Sequence, residues 1–227
     1  MSILLTAATQ FELKPLIDKG STTSTGSNSF KLVVPGFPDI EILIAGVGTA
    51  ATVFHLTEML MKKKFDLAIQ VGICGAFDPS LSKGEVVLVQ SDCFAQLGAE
   101  DGDDFIDVFD LGLTAYNEKP FVDGKLWCTD KLSGNFQTLR KVSGSTSETG
   151  GGNEQNIEKI RNRLHPQTES MEGAGFYYVC GKLNAPAIQI RSVSNYVERR
   201  NKANWNIPLA VEQLNTFLIQ SLPSIHT

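Results

Sequence analysis

Short unbroken apolar runs alternate along the chain with stretches in which apolar side chains return every three or four positions, the signatures of buried strands and amphipathic helices. Residues 2–8, SILLTAA, are such a run, ending in small residues. They lead into TQFELKPLIDKG, where Phe11, Leu13, Leu16 and Ile17 have helical spacing and Gly20 marks a stop. Residues 21–29, STTSTGSNS, carry no apolar period and read as a polar loop. The runs FKLVV and IEILIAG predict two strands separated by the turn signal PGFPD. After GVGT, the stretch AATVFHLTEMLMKKK sets Val53, Phe54, Leu56, Met59 and Leu60 on one helical side, with lysines at the end where cations suit the helix dipole. Phe54 and Met59 are thereby expected in the core, and the isolated His55 is expected to pack or face solvent.

Further strands are predicted at 66–72 (DLAIQVG), 84–90 (GEVVLVQ) and 185–194 (APAIQIRSVS), and further helices at NEQNIEKIRNRL, GAGFYYVCGKL and 204–222 (NWNIPLAVEQLNTFLIQSL). The acidic LGAEDGDDFIDVFDLGL reads as a long irregular surface loop, and VSGSTSETGGGNEQ as a glycine-rich surface turn leading into the next helix. The alternation predicts an α/β fold, a sheet covered by helices on both faces, with no linker or repeat to divide residues 1–227 into more than one domain. At 42% hydrophobic content the chain can fill such a core.

Charge and cysteines narrow the classes. The net charge is −5 and the basic residues form only short clusters such as MKKK and ERRNK, so no footprint for nucleic acid is present. MSILLTAATQ lacks a basic leader region and its apolar run is too short to span a bilayer, which predicts a cytoplasmic chain without a membrane partner. Cys74, Cys93, Cys128 and Cys180 show neither CxxC spacing nor a nearby His, so free thiols are expected and no metal or redox centre.

In an open α/β sheet the ligand lies beyond the strand ends. Residues that follow predicted strands are Glu12, GVG (46–48), GICGA (72–76), and Ser194 with Asn195; Glu172 starts a helix just before the last strand. Each has a plain structural use: an anion in a first helical turn, a glycine turn, a turn amide. Their convergence on one strand-end crevice is what makes them candidates. Neither GVGTAA nor GICGAF supplies GxGxxG or GxxxxGK[ST], and GxSxG and HExxH are absent, so dinucleotide, triphosphate, serine-nucleophile and zinc-protease readings lose their fingerprints.

LLTAATQFELKPL, IAGVGTAATV, IQVGICGAF with GEVVLVQSD, ESMEGAGF and APAIQIRSVSN resemble, in order and spacing, the landmarks of the nucleoside phosphorylase and methylthioadenosine nucleosidase superfamily, over nearly the whole chain. Within it, LGAEDGDDFIDVFDLGL, ESMEGAGF and RSVSNYVERRNKANWNIPLA are most similar to the futalosine hydrolase family of the alternative menaquinone pathway. The resemblance implies a three-layer α/β/α fold with a mixed central sheet, and cleavage of a purine N-ribosidic bond by water without a cofactor. It implies Glu12 as the carboxylate that deprotonates water, Met171 along the ribose, and Glu172 as acceptor for the sugar hydroxyls. Val47 lines the 5′ side, and Gly75 belongs to a turn beside water and base. Homo-oligomers are implied as well.

Carboxylates suit the chemistry, because purine departure leaves an oxocarbenium-like sugar. Two departures from the family pattern carry information. Adenine nucleosidases end the strand in SD, whereas here it is Ser194 and Asn195, an amide that cannot donate a proton outright but can bond N7 and the 6-oxo group of hypoxanthine, which it suits better, or pair with N6 and N7 of adenine. Ile73 stands where those enzymes carry a serine, and no GxPxR arginine motif is present, which argues against phosphate as nucleophile. For a 5′ carboxybenzoyl group, Arg199, Arg200, Lys202 and Trp205 are candidates by type, with Phe94 or Phe105 as an apolar wall. Ser143, Thr146 and Ser147 are open candidates for facing the base. The rival readings are a methylthioadenosine or adenosylhomocysteine nucleosidase, a purine nucleoside phosphorylase, and a non-catalytic nucleoside-binding protein.

Overall fold

In the computed structural model, which describes residues 1–129 and 134–225, the elements run β1 (Ser2–Ala7), α1 (Gln10–Ile17), β2 (Ser21–Ser24), β3 (Ser29–Val33), β4 (Asp39–Ile44), α2 (Thr49–Lys62), β5 (Leu67–Ala76), β6 (Val86–Asp92), β7 (Gly98–Asp101), β8 (Asp104–Asp107), β9 (Leu126–Trp127), β10 (Arg140–Thr146), α3 (Glu154–Leu164), β11 (Thr168–Ser170), α4 (Gly173–Leu183), β12 (Ala187–Tyr196) and α5 (Ile207–Ser221). The main sheet has the order β11-β10-β6-β12-β5-β1-β4-β3-β2, with β9 added on β6. It is mixed: β4, β1, β5 and β12 pair in parallel, and β6 lies antiparallel to β12.

Alternation along β1 divides the core. Ile3, Leu5 and Ala7 pack with Leu13 and Leu16 of α1 and Leu214 and Leu218 of α5. Leu4 faces the other way, with Leu56 of α2 and Phe176 of α4. These are the outer layers of an α/β/α sandwich. Beyond β12 the sheet curls on itself, because β11 pairs antiparallel with β5 as well as parallel with β10. The strands β5, β12, β6, β10 and β11 thus close a ring around Cys74, Ala76, Val87, Val89, Val142 and Val193.

α1 is mended across a proline. Pro15 sits inside the helix, where its ring disturbs the normal ladder. Leu16 N–H donates instead to Asn215 Oδ1 at 3.1 Å, and Asn215 Nδ2 donates to the Glu12 carbonyl at 2.8 Å. The buried amide from α5 thus bridges the two backbone groups that a regular helix ladder pairs with each other.

Several expectations are corrected. Residues 21–24 are an exposed edge strand paired with β3, and part of the acidic loop is the β7–β8 hairpin. The stretch 140–146 is a strand of the ring, buried from Gly144 to Thr146, where Gly144 fits because a Cβ would stand 2.8 Å from Val89 Cγ1. Residues 72–76 continue β5, so Gly75 is a strand residue and not part of a turn. Phe54 is 65% exposed and Phe11 58%. On α2 the inward face is taken by Thr52, Val53, Leu56 and Met59, and one helical position moves Phe54 to the outside. His55 is half-buried against Phe54, edge to face. Among the described residues no helix is long and apolar enough to cross a membrane.

Candidate active site

A cleft of about 340 Å³ opens at the ends of β1, β5 and β12, lined by Glu12, Val47, Ile73, Gly75, Met171, Glu172, Ser194 and Asn195. All eight residues singled out in the sequence meet there. Thr9, Phe11, Gly150, Gly151, Glu169, Arg200 and Trp205 are among the other residues of the wall. A larger hollow of about 450 Å³ beside β2 and β3 has no ionisable side chain in its lining.

Glu12 is buried in the first turn of α1. Its Oε2 accepts from Thr9 N–H at 3.0 Å and Thr9 Oγ–H at 3.1 Å, the reach-back of a capping box. Oε1 accepts from Ile73 N–H at 3.2 Å. Burial raises the Glu12 pKa above the usual value; Arg191 and the two backbone donors oppose the rise and Glu172 adds to it.

Glu172 holds the N-cap position of α4 without capping it. The helix's first donors go elsewhere: Gly173 N–H to Ser170 Oγ at 3.2 Å, and Ala174 N–H to Thr146 Oγ at 2.7 Å. The carboxylate is left for the cleft. Oε1 accepts from Gly48 N–H at 3.2 Å and Oε2 from Arg191 Nη1 at 3.3 Å. Gly48, the N-cap residue just before α2, has a φ of 90°, a torsion that favours glycine, with its N–H directed at Glu172.

Arg191 is the organising cation, and sequence reasoning missed it. It is 2% exposed and donates from Nε to Gln189 Oε1 (2.9 Å), from Nη2 to Gln70 Oε1 (3.0 Å), and from Nη1 to Ile73 O and Glu172 Oε2 (both 3.3 Å). The chain continues through Gln189 Nε2 to Asp92 Oδ2 at 3.1 Å. Burial pushes the Asp92 carboxyl up to about 6, against hydrogen bonds from Gln189 and Thr146 that lower it. Gly72 leaves the room: a Cβ there would stand 2.6 Å from Arg191 Nη1 and 2.7 Å from Glu12 Oε1. The signal was present as polar Gln70, Gln189 and Arg191 interrupting apolar strand runs, where a buried charge requires partners.

At the other end of the cleft, Ser194 Oγ lies 2.7 Å from Asn195 Oδ1 and 3.1 Å from the Cys74 carbonyl, and Asn195 Nδ2 donates to Tyr196 O at 2.9 Å. One amide hydrogen of Asn195 stays free to donate. Glu169, also unforeseen, is buried here and accepts from Gly151 N–H at 2.9 Å. Burial raises its pKa, with that backbone donor opposing.

Ser143, Thr146 and Ser147 do not line the cleft; Thr146 bonds Asp92 and Ser147 bonds Gln96. Arg200 reaches it stacked over Trp205, 5.1 Å from the ring centroid. Arg199 and Lys202 are exposed and outside it. Phe94 borders a separate hollow with Phe109, and Phe105 lies under Arg163. Among the described residues no group of three or more His, Cys, Asp or Glu side chains is arranged to hold a metal ion.

The chain belongs to the phosphorylase superfamily, whose family model matches residues 2–222. It is 32% identical over 184 residues to futalosine hydrolase of Streptomyces coelicolor, spanning 77% of this chain and 74% of that protein, and 31% identical over 181 residues to futalosine hydrolase of Acidothermus cellulolyticus, spanning 77% and 71%. Within the superfamily its place is therefore in the futalosine hydrolase family. Among solved structures, the methylthioadenosine/adenosylhomocysteine nucleosidase of Streptococcus pneumoniae with 8-aminoadenine aligns with a TM-score of 0.83 at 18% identity, over 99% of this chain and all of that one. The expected nucleoside phosphorylase-like sandwich is the observed fold.

Proposed function

We infer that the chain is a futalosine hydrolase, cleaving the N-ribosidic bond of futalosine with water to release hypoxanthine and dehypoxanthinyl futalosine for menaquinone synthesis. The observation that carries the reading is the pairing, in one cleft, of buried Glu12 and Glu172 around Arg191 at one end with Asn195 at the other.

Each residue type has a task there. Glu12 Oε2 already accepts twice and Oε1 once, so the remaining lone pair on Oε1 is where a water is held and deprotonated. General-base help of this kind contributes roughly 10²–10⁴-fold in rate. Among the described residues each Glu172 oxygen has one protein partner and keeps capacity for a ribose hydroxyl, while the Arg191 contact fixes the carboxylate in place. Negative charge beneath the ring then stabilises the oxocarbenium-like sugar. Met171 packs along the ribose and Val47 borders its 5′ side. The free hydrogen of Asn195 meets N7 or O6 of the departing base. Arg200 and Trp205 suit the carboxylate and ring of the 5′ substituent.

The reading includes a single domain over residues 1–227, a cytoplasmic location and a homo-oligomer; exposed Phe54 and Met61 on α2 offer apolar surface for self-association. Release of free base from futalosine, inosine and methylthioadenosine, each with and without phosphate, tests the function. Hypoxanthine from futalosine without phosphate dependence is expected. Adenine from methylthioadenosine as the main product, or turnover only with phosphate, would overturn it.

A further inference from the structure

We propose that Glu169 is a specificity-determining residue that reads the N1–H edge of a 6-oxopurine, and so, resting on the futalosine reading, separates futalosine from its 6-amino counterpart. The placement comes from strand register. Gly75 of β5 is the partner of Glu169 on one side and of Asn195 on the other. Register partners on adjacent strands project to the same face, so an amide and a carboxylate flank a residue with no side chain. A Cβ on Gly75 would stand 3.3 Å from Asn195 Nδ2 and 4.0 Å from Glu169 Oε2. The result is a slot for a flat base with a donor on one wall and an acceptor on the other.

The carboxylate is under-used by the protein. Among the described residues its one hydrogen bond is from Gly151 N–H to Oε2, and Oε1 is a buried oxygen with no partner. Burying such an acceptor unpaired is costly, and a ligand donor relieves the cost. A 6-oxopurine presents N1–H beside O6, so a carboxylate accepts from the first while an amide donates to the second. A 6-aminopurine presents a bare N1 lone pair at that position, which a carboxylate repels. Glu12 and Glu172 lie at the ribose end, so Glu169 is spare for this task.

The test compares wild type with Glu169→Gln, Glu169→Asp and, as a second acidic position, Glu148→Gln; Glu148 is exposed and outside the cleft lining. The readouts are kcat/KM for futalosine and its 6-amino counterpart, and calorimetric affinity for hypoxanthine and adenine. Glu169→Gln can donate to a bare N1, so the ratio favouring the 6-oxo compounds is expected to fall about 10- to 100-fold, the scale of one hydrogen bond to a charged group. Glu169→Asp keeps the acceptor and retains at least part of the preference, which serves also if the amide variant folds poorly. An unchanged ratio in Glu169→Gln, or a loss of preference confined to Glu148→Gln, overturns the proposal. Should wild type hydrolyse no futalosine, the function fails while the affinities for the two bases still decide the role of Glu169.

Discussion

Replacing Arg191 by Met is the sharpest probe of the site, because one guanidinium joins two buried carboxylates to the floor of the sheet. The substitution keeps an unbranched apolar stem and removes the guanidinium with its four hydrogen bonds, to Gln189, Gln70, Ile73 O and Glu172. Glu172 is then a buried anion beside a second one, with no cation between. Breaking a buried pair from one side costs about 3–5 kcal/mol, which for a chain of this size lowers the melting temperature by roughly 6 to 20 °C. The deficit narrows as pH falls and Glu12, whose pKa burial already raises, takes up its proton. Arg191 is also the largest influence holding the Glu12 pKa down against burial. Without it that pKa climbs, and because a general base works only when ionised, the acidic limb of kcat/KM moves to higher pH. Urea unfolding across pH and the pH profile of futalosine cleavage measure the two effects. Adding Glu172→Gln removes the stranded charge and recovers part of the stability. A destabilised Arg191→Met enzyme whose acidic limb stays at the wild-type position would refute the coupling and take Arg191 out of the chemistry.

Three other expectations follow from the same geometry. Glu12→Gln lowers kcat by roughly 10²–10⁴-fold while calorimetry finds hypoxanthine binding nearly unchanged; unaltered turnover removes Glu12 from the mechanism. Asp92 has a folded pKa raised from 3.8 to about 6, so its favourable contribution is complete below the ordinary value and lost as pH rises through about 6. The stability of Asp92→Asn relative to wild type therefore improves between those limits by up to ~3 kcal/mol, whatever its starting deficit, and a flat difference in urea unfolding contradicts this. Gly72→Ala drives a methyl into Arg191 and Glu12, costing about 1–3 kcal/mol in stability and reducing kcat more than it raises KM; wild-type kinetics would show that the close approach is not needed.

Most of the sandwich was legible because β1, β4, β5, α3, α4 and α5 bury large apolar side chains at regular intervals. The ring was not. β10 and β11 are built from residues such as Gly144, Ser145, Thr146 and Thr168, which fill a narrow closed space where larger side chains do not fit, and small polar residues read as loop. The candidate residues were legible by position, since a strand-end crevice gathers whatever follows the strands. What bound them together was not. Arg191 meets Gln70 and Ile73 across 121 and 118 positions of chain, and Glu169 meets Asn195 only through the shared partner Gly75. Phe54 was misassigned because Val53 and Phe54 are adjacent and a helix buries only one of such a pair well.

The amide of Asn215 that repairs α1 around Pro15 sets an order of assembly in time. The Glu12 carbonyl waits for a donor 203 positions further along, so the helix carrying Glu12 gains this support only after α5 has docked. At about 5–20 residues per second of synthesis, the interval is roughly 10 to 40 seconds, during which the ribosome-bound chain can hold much of its sheet and yet be silent. In refolding, circular dichroism would recover ahead of turnover, and Asn215→Leu would widen that gap: activity becomes a clock for the last long-range contact rather than for the fold as a whole.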